Sequence, residues 1–172
     1  TLNKELVMYV GAVQGLHADE HSLERFKVLT KDFEGVRPRD LLMEVLRMLS
    51  ENMGVKKILG IADGYRHHRH AYFCNYHANM LRTSYDEIWL EQLGDAYDEE
   101  FFQLPIHKPR KALAEVSSNK RAMYRRRYEM LDALRAGIAA RFGKQVVNLS
   151  EEVTMPDKDA LVKKNDMRPA VI

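Results

Sequence analysis

The chain has 172 residues, of which 27 are basic and 25 acidic, so its formal net charge is only +2. A dedicated nucleic-acid-binding protein carries a larger excess, and any basic function of this chain must therefore be local. The single cysteine, Cys74, excludes an intrachain disulfide and a cysteine-rich zinc module, which favours a reducing, cytoplasmic setting. No apolar run approaches the roughly 18 residues of a membrane span, so we predict no transmembrane segment.

The first elements are a strand and a helix. Residues 6–13 form a short apolar run that predicts a strand buried on both faces, and Gln14 and Gly15 end it. From Leu23 onward, apolar residues recur at near-helical spacing, which predicts a first helix. Gly35 suits the left-handed position that follows a helix end, so we expect this helix to stop just before it.

The second helix gives the clearest signal in the sequence. Pro38 stands at its first position, where the missing N–H is tolerated, and an apolar stripe follows: Leu42, Val45, Leu46, Leu49 and Met53. Residues 55–62 are again short and apolar and predict a second buried strand. A strand, two helices and a strand in this order predict a βαβ-like crossover with parallel pairing.

The rest of the chain predicts two helices and one strand. Ser84 with Glu87 three residues later forms a capping box, which predicts a short helix. Residues 101–104 predict a strand. A long helix is expected from residue 117 or 118 to residue 142, and a polar, partly mobile tail over residues 143–172.

The entrance to the second helix is the first candidate site. Gly35, Arg37 and Arg39 lie where free N–H groups and the helix dipole favour anions, and a guanidinium binds phosphate through two N–H groups. This pattern predicts a cradle for a phosphate or a carboxylate. Alternatively, both arginines are solvated or pair with acidic neighbours, which are Asp32, Asp40 and Glu44. The spacing is neither a Walker A motif nor a Rossmann fingerprint.

A second cluster of cations lies in the long helix. It interleaves arginines with Tyr124 and Tyr128, and its members are Arg121, Arg125, Arg126 and Arg127. Such a face could bind nucleic acid, an anionic lipid headgroup or a protein partner. The alternative is a solvated face whose arginines pair with the acidic run at residues 95–100, or with acidic residues of the same helix.

The third candidate region follows the second strand, where an α/β sheet commonly places its ligand crevice. Tyr65, His68 and His70 have side chains suited to general acid or base catalysis; the alternative is that the histidines belong to an exposed basic loop. The histidines match no zinc-protease motif, so we predict no metal site. Cys74 is interpreted as a buried or idle thiol rather than a nucleophile.

Several segments, in the same order, are similar to the VirK/YbjX family of bacterial proteins. They are residues 9–15 (Tyr-Val-Gly-Ala-Val-Gln-Gly), 29–42 (Leu-Thr-Lys-Asp-Phe-Glu-Gly-Val-Arg-Pro-Arg-Asp-Leu-Leu), 85–89 (Tyr-Asp-Glu-Ile-Trp), 93–94 (Leu-Gly), 102–105 (Phe-Gln-Leu-Pro) and 120–128 (Lys-Arg-Ala-Met-Tyr-Arg-Arg-Arg-Tyr). The resemblance implies a Gram-negative protein linked to virulence and to tolerance of antimicrobial peptides. It carries over no catalytic residue. Family members extend further at the N-terminus, which implies that this chain is a C-terminal fragment.

The sequence as a whole predicts one α/β domain over residues 1–142. Its small mixed sheet would contain strands near residues 6–13, 55–62 and 101–104, with four helices packed on it. The order of elements also resembles the acyl-CoA core of N-acyltransferases, an analogy of fold that does not establish function.

Two functional hypotheses follow. In the first, the protein is an acyl or aminoacyl transferase: Gly35, Arg37 and Arg39 bind the phosphates of a CoA thioester, Gln14 and Gly15 flank that donor, and a residue near 65–70 moves the proton. In the second, a non-catalytic protein binds its partner through the arginines of the long helix. Either could act in the cytoplasm or at the membrane periphery. The sequence leaves the oligomeric state open.

Overall fold

A computed structural model describes residues 5–13, 21–67 and 83–142. These residues form a mixed α/β structure, which confirms the predicted fold class. In chain order its elements are β1 (Val7–Val10), α1 (Ser22–Asp32), α2 (Pro38–Asn52), β2 (Lys57–Ile61), α3 (Tyr85–Glu91), β3 (Asp95–Ala96), β4 (Phe101–Leu104) and α4 (Ser118–Phe142). Two short 3-10 turns, Asp63–Tyr65 and Leu113–Glu115, connect them.

The four strands form one sheet in the order β1-β2-β4-β3. β1 pairs in parallel with β2, and Val10 lies opposite Gly60, so the predicted βαβ crossover is confirmed. β4 runs antiparallel to both of its neighbours, β2 and β3. β3 was not predicted, because its two residues are both exposed and give no apolar signal.

β1 lies at an edge of the sheet and is not buried on both faces, contrary to our prediction. Tyr9 is 52% exposed, and Leu6, just before the strand, is also exposed. The central strand β2 is the buried one, with Ile58 and Leu59 almost inaccessible to solvent. An apolar run of this length does not distinguish an edge strand from a central one, because that difference depends on which layers cover the sheet.

α3 covers the sheet with the largest side chain of the core. Trp89 is 0% exposed, and its indole Nε1 donates to the carbonyl oxygen of Ile61 at 2.8 Å. Gly60 makes room for the ring, because a Cβ at that position would lie 2.7 Å from it. Next to it, the Tyr85 hydroxyl donates to the carbonyl of Val13 at 3.2 Å and accepts from the Val13 N–H at 2.9 Å. α3 thereby holds the end of β2 and the segment that follows β1.

The start of α3 follows its predicted capping signal. The hydroxyl oxygen of Ser84 accepts a hydrogen bond from the N–H of Glu87 at 3.4 Å. α4 also lies where it was predicted, and the less exposed side of this long helix carries Tyr124, Tyr128, Leu131 and Ile138. Within the described residues, no helix is long and apolar enough to cross a membrane.

α2 begins at Pro38 as predicted, but the side chains that it buries most deeply are not those of the predicted stripe. The fully buried residues are Met43, Arg47, Met48 and Ser50, whereas Leu42 and Met53 are about half exposed. Arg47 explains the difference. Its guanidinium donates to the Pro105 carbonyl at 3.0 Å and to the Gln92 carbonyl at 3.1 Å, so a charged residue satisfies its donors inside the protein.

Candidate anion-binding groove

The turn between α1 and α2 brings the first candidate site against α4. Glu34 and Gly35 both have left-handed backbone conformations, with φ of 51° and 78°. The Gly35 N–H donates to the Thr30 carbonyl at 2.7 Å and the Glu34 N–H donates to the Lys31 carbonyl at 3.1 Å, so the end of α1 is closed by its own backbone. The glycine stands one residue later in this turn than the sequence predicted.

Two arginines of α4 hold this turn. Arg126 Nε donates to the Glu34 carboxylate at 2.9 Å, and Arg127 Nε donates to the Glu34 carbonyl at 3.0 Å. The hydrogen bond from Arg126 lowers the pKa of the Glu34 carboxyl below its ordinary value. Arg127 also stacks over the Tyr124 ring, with its guanidinium carbon 4.2 Å from the ring centre. Both of these arginines, which were predicted to bind a partner, therefore make intramolecular contacts.

At the entrance to α2, both arginines are paired. Arg37 donates to Asp40 at 2.6 Å and to Glu91 at 2.9 Å, and the hydrogen bond with Asp40 raises the pKa of the Arg37 guanidinium. Arg39 pairs with the same Glu91 carboxylate, and its Nε is enclosed without a hydrogen-bond acceptor. Asp40 is thus a partner that the sequence suggested. Glu91, at the end of α3, is one that it did not.

A groove of about 900 Å³ lies between α1, the start of α2 and α4. Its lining combines apolar surface with positive charge. The apolar part comes from Leu23, Phe26, Pro38 and Met123. The cations at the groove are Lys27, Lys31, Arg37, Arg39 and Arg126, and they are accompanied by a single carboxylate, Glu34.

Two of these five cations have no ion pair within the described part of the chain. Lys27 and Lys31 are exposed and lie four residues apart on α1, so they share one face of the helix. Leu23 lies a further four residues back and is 75% exposed. A ligand that offers both apolar surface and negative charge could therefore contact all three.

The structure brings some of the predicted site residues together and separates others. Gly35, Arg37, Arg39 and Arg126 line the groove. Arg127 lines a second, smaller pocket instead. Arg121 donates to the Val116 carbonyl at 2.9 Å near the start of α4, and Arg125 is exposed and lines neither cavity.

Of the predicted acid or base residues, Tyr65 lies in the described part of the chain, and it does not line this groove. Tyr65 is half exposed in the turn after β2 and lines neither of the two cavities. Gln14, Gly15, His68 and His70 lie outside the described residues, as does the tail over residues 143–172. Among the residues that the structure describes, no group of side chains could hold a metal ion.

The contribution of α1 to the groove was not predicted from the sequence. Lys27 and Lys31 at a spacing of four, beside Leu23 and Phe26, were a visible signal of a helix that carries charge and apolar surface together. The signal could not be assigned to a site from the sequence, because it is the fold that places α1 next to the entrance of α2.

Comparison with known proteins identifies the family. The family described as "Protein of unknown function (DUF535)" matches residues 1–140 of the chain. The chain belongs to this family. An uncharacterized protein named YbjX from Escherichia coli (strain K12) is 32% identical over 136 residues, which confirms the resemblance to the VirK/YbjX family.

Two further relatives come from Haemophilus influenzae (strain ATCC 51907 / DSM 11121 / KW20 / Rd), and both are described as uncharacterized. They are 33% identical over 127 residues and 34% identical over 136 residues. The matches to the three relatives cover 74%, 78% and 79% of this chain, but only 40 to 44% of the relatives' own lengths. No solved structure matches the chain.

Proposed function

We propose that the groove binds an amphipathic anion, in which an acyl chain is joined to a headgroup that contains phosphate. The observation that carries this proposal is the lining of the groove: apolar side chains from three elements, surrounded by five cations and one carboxylate. A purely apolar ligand would leave those cations without a role. A purely polar one would leave the apolar surface exposed to water.

Both parts of such a ligand would contribute to its affinity. Each methylene group withdrawn from water contributes about 0.8 kcal/mol, so even a partly buried acyl chain would bind measurably. Phosphate oxygens accept charge-assisted hydrogen bonds from lysine and arginine. Lys27 and Lys31 are the best candidates for these contacts, because Arg37, Arg39 and Arg126 already pair with carboxylates.

A CoA thioester is one ligand with this combination, and it links the groove to the hypothesis of an acyltransferase. In that role the groove would hold the donor, with Arg37 and Arg39 near its phosphates. Arg39 lines the groove, and its guanidinium would contact a phosphate there in addition to Glu91. Amphipathic anions also occur in bacterial envelopes, which suits the predicted role in virulence and antimicrobial-peptide tolerance.

The second hypothesis, a partner-binding face formed by the arginines of α4, has less support. Arg126 and Arg127 hold Glu34 and the turn, and Arg121 bonds to the Val116 carbonyl. Of those four arginines, Arg125 alone has no partner among the described residues, and one exposed cation is a weak basis for binding a polyanion.

The decisive experiment measures binding of palmitoyl-CoA, CoA and palmitate by titration calorimetry, below the concentration at which palmitoyl-CoA forms micelles. Palmitoyl-CoA should bind roughly tenfold or more tightly than either part, because each part uses only some of the groove. A double variant, Lys27→Glu with Lys31→Glu, reverses the charge at both positions and should weaken binding of palmitoyl-CoA roughly tenfold.

A matched control reverses two cations that do not line the groove, Lys56→Glu and Lys120→Glu, which changes the net charge by the same amount. The control should bind palmitoyl-CoA like the parent. A third variant, Leu23→Ser, removes apolar surface from the groove at an exposed position without adding charge, and it should weaken binding of palmitoyl-CoA but not of CoA. If the parent binds CoA and palmitoyl-CoA equally, or if both pairs of reversals weaken binding alike, the proposal is wrong.

A further inference from the structure

A second pocket, of about 260 Å³, shares Gly35 with the groove but has a different chemistry. It lies between α2, residues 108–111 and α4, and its lining is mainly polar. Two carboxylates and five cations line it: Asp40, Glu44, Lys108, Arg110, Lys111, Arg127 and Arg135. The pairing of these charges decides what the pocket could bind.

The two carboxylates are already occupied. Asp40 accepts hydrogen bonds from Arg37 at 2.6 Å and from the side-chain amide of Gln92 at 2.9 Å. Glu44 accepts one from the buried Arg47 at 3.2 Å. Neither carboxylate forms an ion pair with Lys108, although the charges of both act on its ammonium group.

The cations divide into two groups. Arg110 pairs with Asp132, and Arg135 pairs with Glu51, so both have carboxylates of their own. Within the part of the chain that the structure describes, three cations of the pocket have no carboxylate within ion-pair distance: Lys108, Lys111 and Arg127. This is an excess of positive charge gathered in one small cavity.

Lys108 shows most clearly how this excess of positive charge affects the pocket. Its Nζ donates to the side-chain oxygen of Gln92 at 3.3 Å, and the Arg47 guanidinium donates to the same oxygen at 3.1 Å. Two cations thus converge on one neutral amide oxygen of a residue that is 1% exposed. Burial, and next the nearby charge of Arg47, lower the pKa of the Lys108 ammonium. An anion in the pocket would relieve this arrangement.

We propose that the second pocket binds a phosphate group, either free phosphate or a small phosphate monoester, with Lys108 as its principal contact. A phosphate dianion matches the unpaired charge of Lys108, Lys111 and Arg127, and its oxygens accept several N–H donors at once. The pocket has room for a phosphate and a few waters, since one water occupies about 30 Å³ in the liquid. This site is separate from the proposed acyl-binding groove, whose lining combines apolar surface with positive charge.

Titration calorimetry of the chain with sodium phosphate tests this site. Lys108→Met removes the ammonium but keeps an unbranched side chain, and should weaken phosphate binding roughly tenfold. Lys111→Met, at an exposed position, should weaken it by roughly threefold without affecting the fold. Lys120→Met is the control outside the pocket and should leave binding unchanged. The thermal midpoint of each variant shows whether it remains folded.

Glycerol 3-phosphate distinguishes the two sources of the phosphate group. Tighter binding than inorganic phosphate indicates a monoester ligand, and equal binding indicates free phosphate; both support the site. No saturable heat with either compound up to ~10 mM would overturn the proposal, as would equal affinity in the parent, Lys108→Met and Lys111→Met. The Lys27→Glu and Lys31→Glu pair should leave phosphate binding intact, so failure of the groove proposal would not affect this one.

Discussion

The sheet side and the groove side of this molecule differ in how they use their side chains. On the sheet side, Trp89 and Met43 are withdrawn from water, and even Arg47 is 1% exposed. On the groove side, α1 buries only Ser22 and α4 buries only Leu131. The free energy of folding is therefore concentrated on the sheet side, and the groove side can expose charge and apolar surface for a ligand.

The same contrast holds for charged residues. The buried guanidinium of Arg47 is fixed by carbonyl and amide oxygens, so it joins α2 to the chain after α3 and after β4. Lys27 and Lys31 on α1 have no such partners among the described residues and can reorient towards an anion. A charge that is satisfied inside the protein serves stability, whereas one left at an open groove is available for binding.

Trp89→Ala should have the largest effect, because it removes the ring that α3 packs over Gly60. We expect a loss of about 3–5 kcal/mol in the free energy of unfolding, measured by urea denaturation. Leu23→Ala on the groove side should change stability by about 0.5 kcal/mol or less. Similar losses for both variants would contradict the proposed division between the two sides.

Arg47→Met should come next, with a loss of about 3 kcal/mol, because it leaves the Pro105 and Gln92 carbonyls without their donor. Its counterpart is Arg135→Met on α4, which removes the partly exposed pair with Glu51 and should cost about 1 kcal/mol or less. Chemical denaturation at one salt concentration gives the free energy of unfolding of both variants for comparison. A loss at Arg47 no larger than at Arg135 would show that the buried network adds little.

Substituting alanine for each of two glycines on the groove side should change the stability of the protein in opposite directions. Gly35→Ala forces a left-handed φ on alanine and places its Cβ 2.7 Å from the Arg127 guanidinium, so we expect a loss of about 1–2 kcal/mol. Gly137→Ala, inside α4 with open space around it, should gain about 0.5–1 kcal/mol. Thermal melts of the two variants, run side by side, would reveal a difference in sign.

The smallest effect should be that of pH on the groove side. The hydrogen bond from Arg110 lowers the pKa of Asp132 from its ordinary value of 3.8. A depressed carboxyl pKa stabilises the fold above pH 3.8, and this contribution is lost as the pH falls through the folded value. Because the pair is exposed, Asp132→Asn should remove about 0.5 kcal/mol or less at neutral pH. The stability difference from the parent should vanish in acid.

Local signals in the sequence predicted most of the fold. Pro38 placed the start of α2, Ser84 placed the start of α3, and two apolar runs placed β1 and β2. Each of these signals depends on the residues within one turn or one strand. These predictions agree with the structure because the features behind them, such as the missing N–H of proline or the capping hydroxyl of serine, act without a distant partner.

The buried side of α2 and the partners of its arginines could not be predicted in the same way. Periodicity treats Arg47 as a surface residue, yet its acceptors come from Gln92 and Pro105, more than forty residues away in sequence. Glu91 likewise reaches Arg37 only because α3 ends beside the start of α2. Contacts of this kind are set by tertiary structure and leave no mark on the spacing of residues.

Gly35 has a consequence for how this family can diversify. Among the residues that the structure describes, Gly35 is the one that lines both cavities, and it lies between the proposed acyl site and the proposed phosphate site. A larger side chain there would intrude on two ligands at once, whereas a change at Lys27 or Lys108 would alter only one. Position 35 should therefore vary less between relatives than the charged residues that line only one of the cavities. The ligand specificities of the two cavities could then change independently while Gly35 is kept.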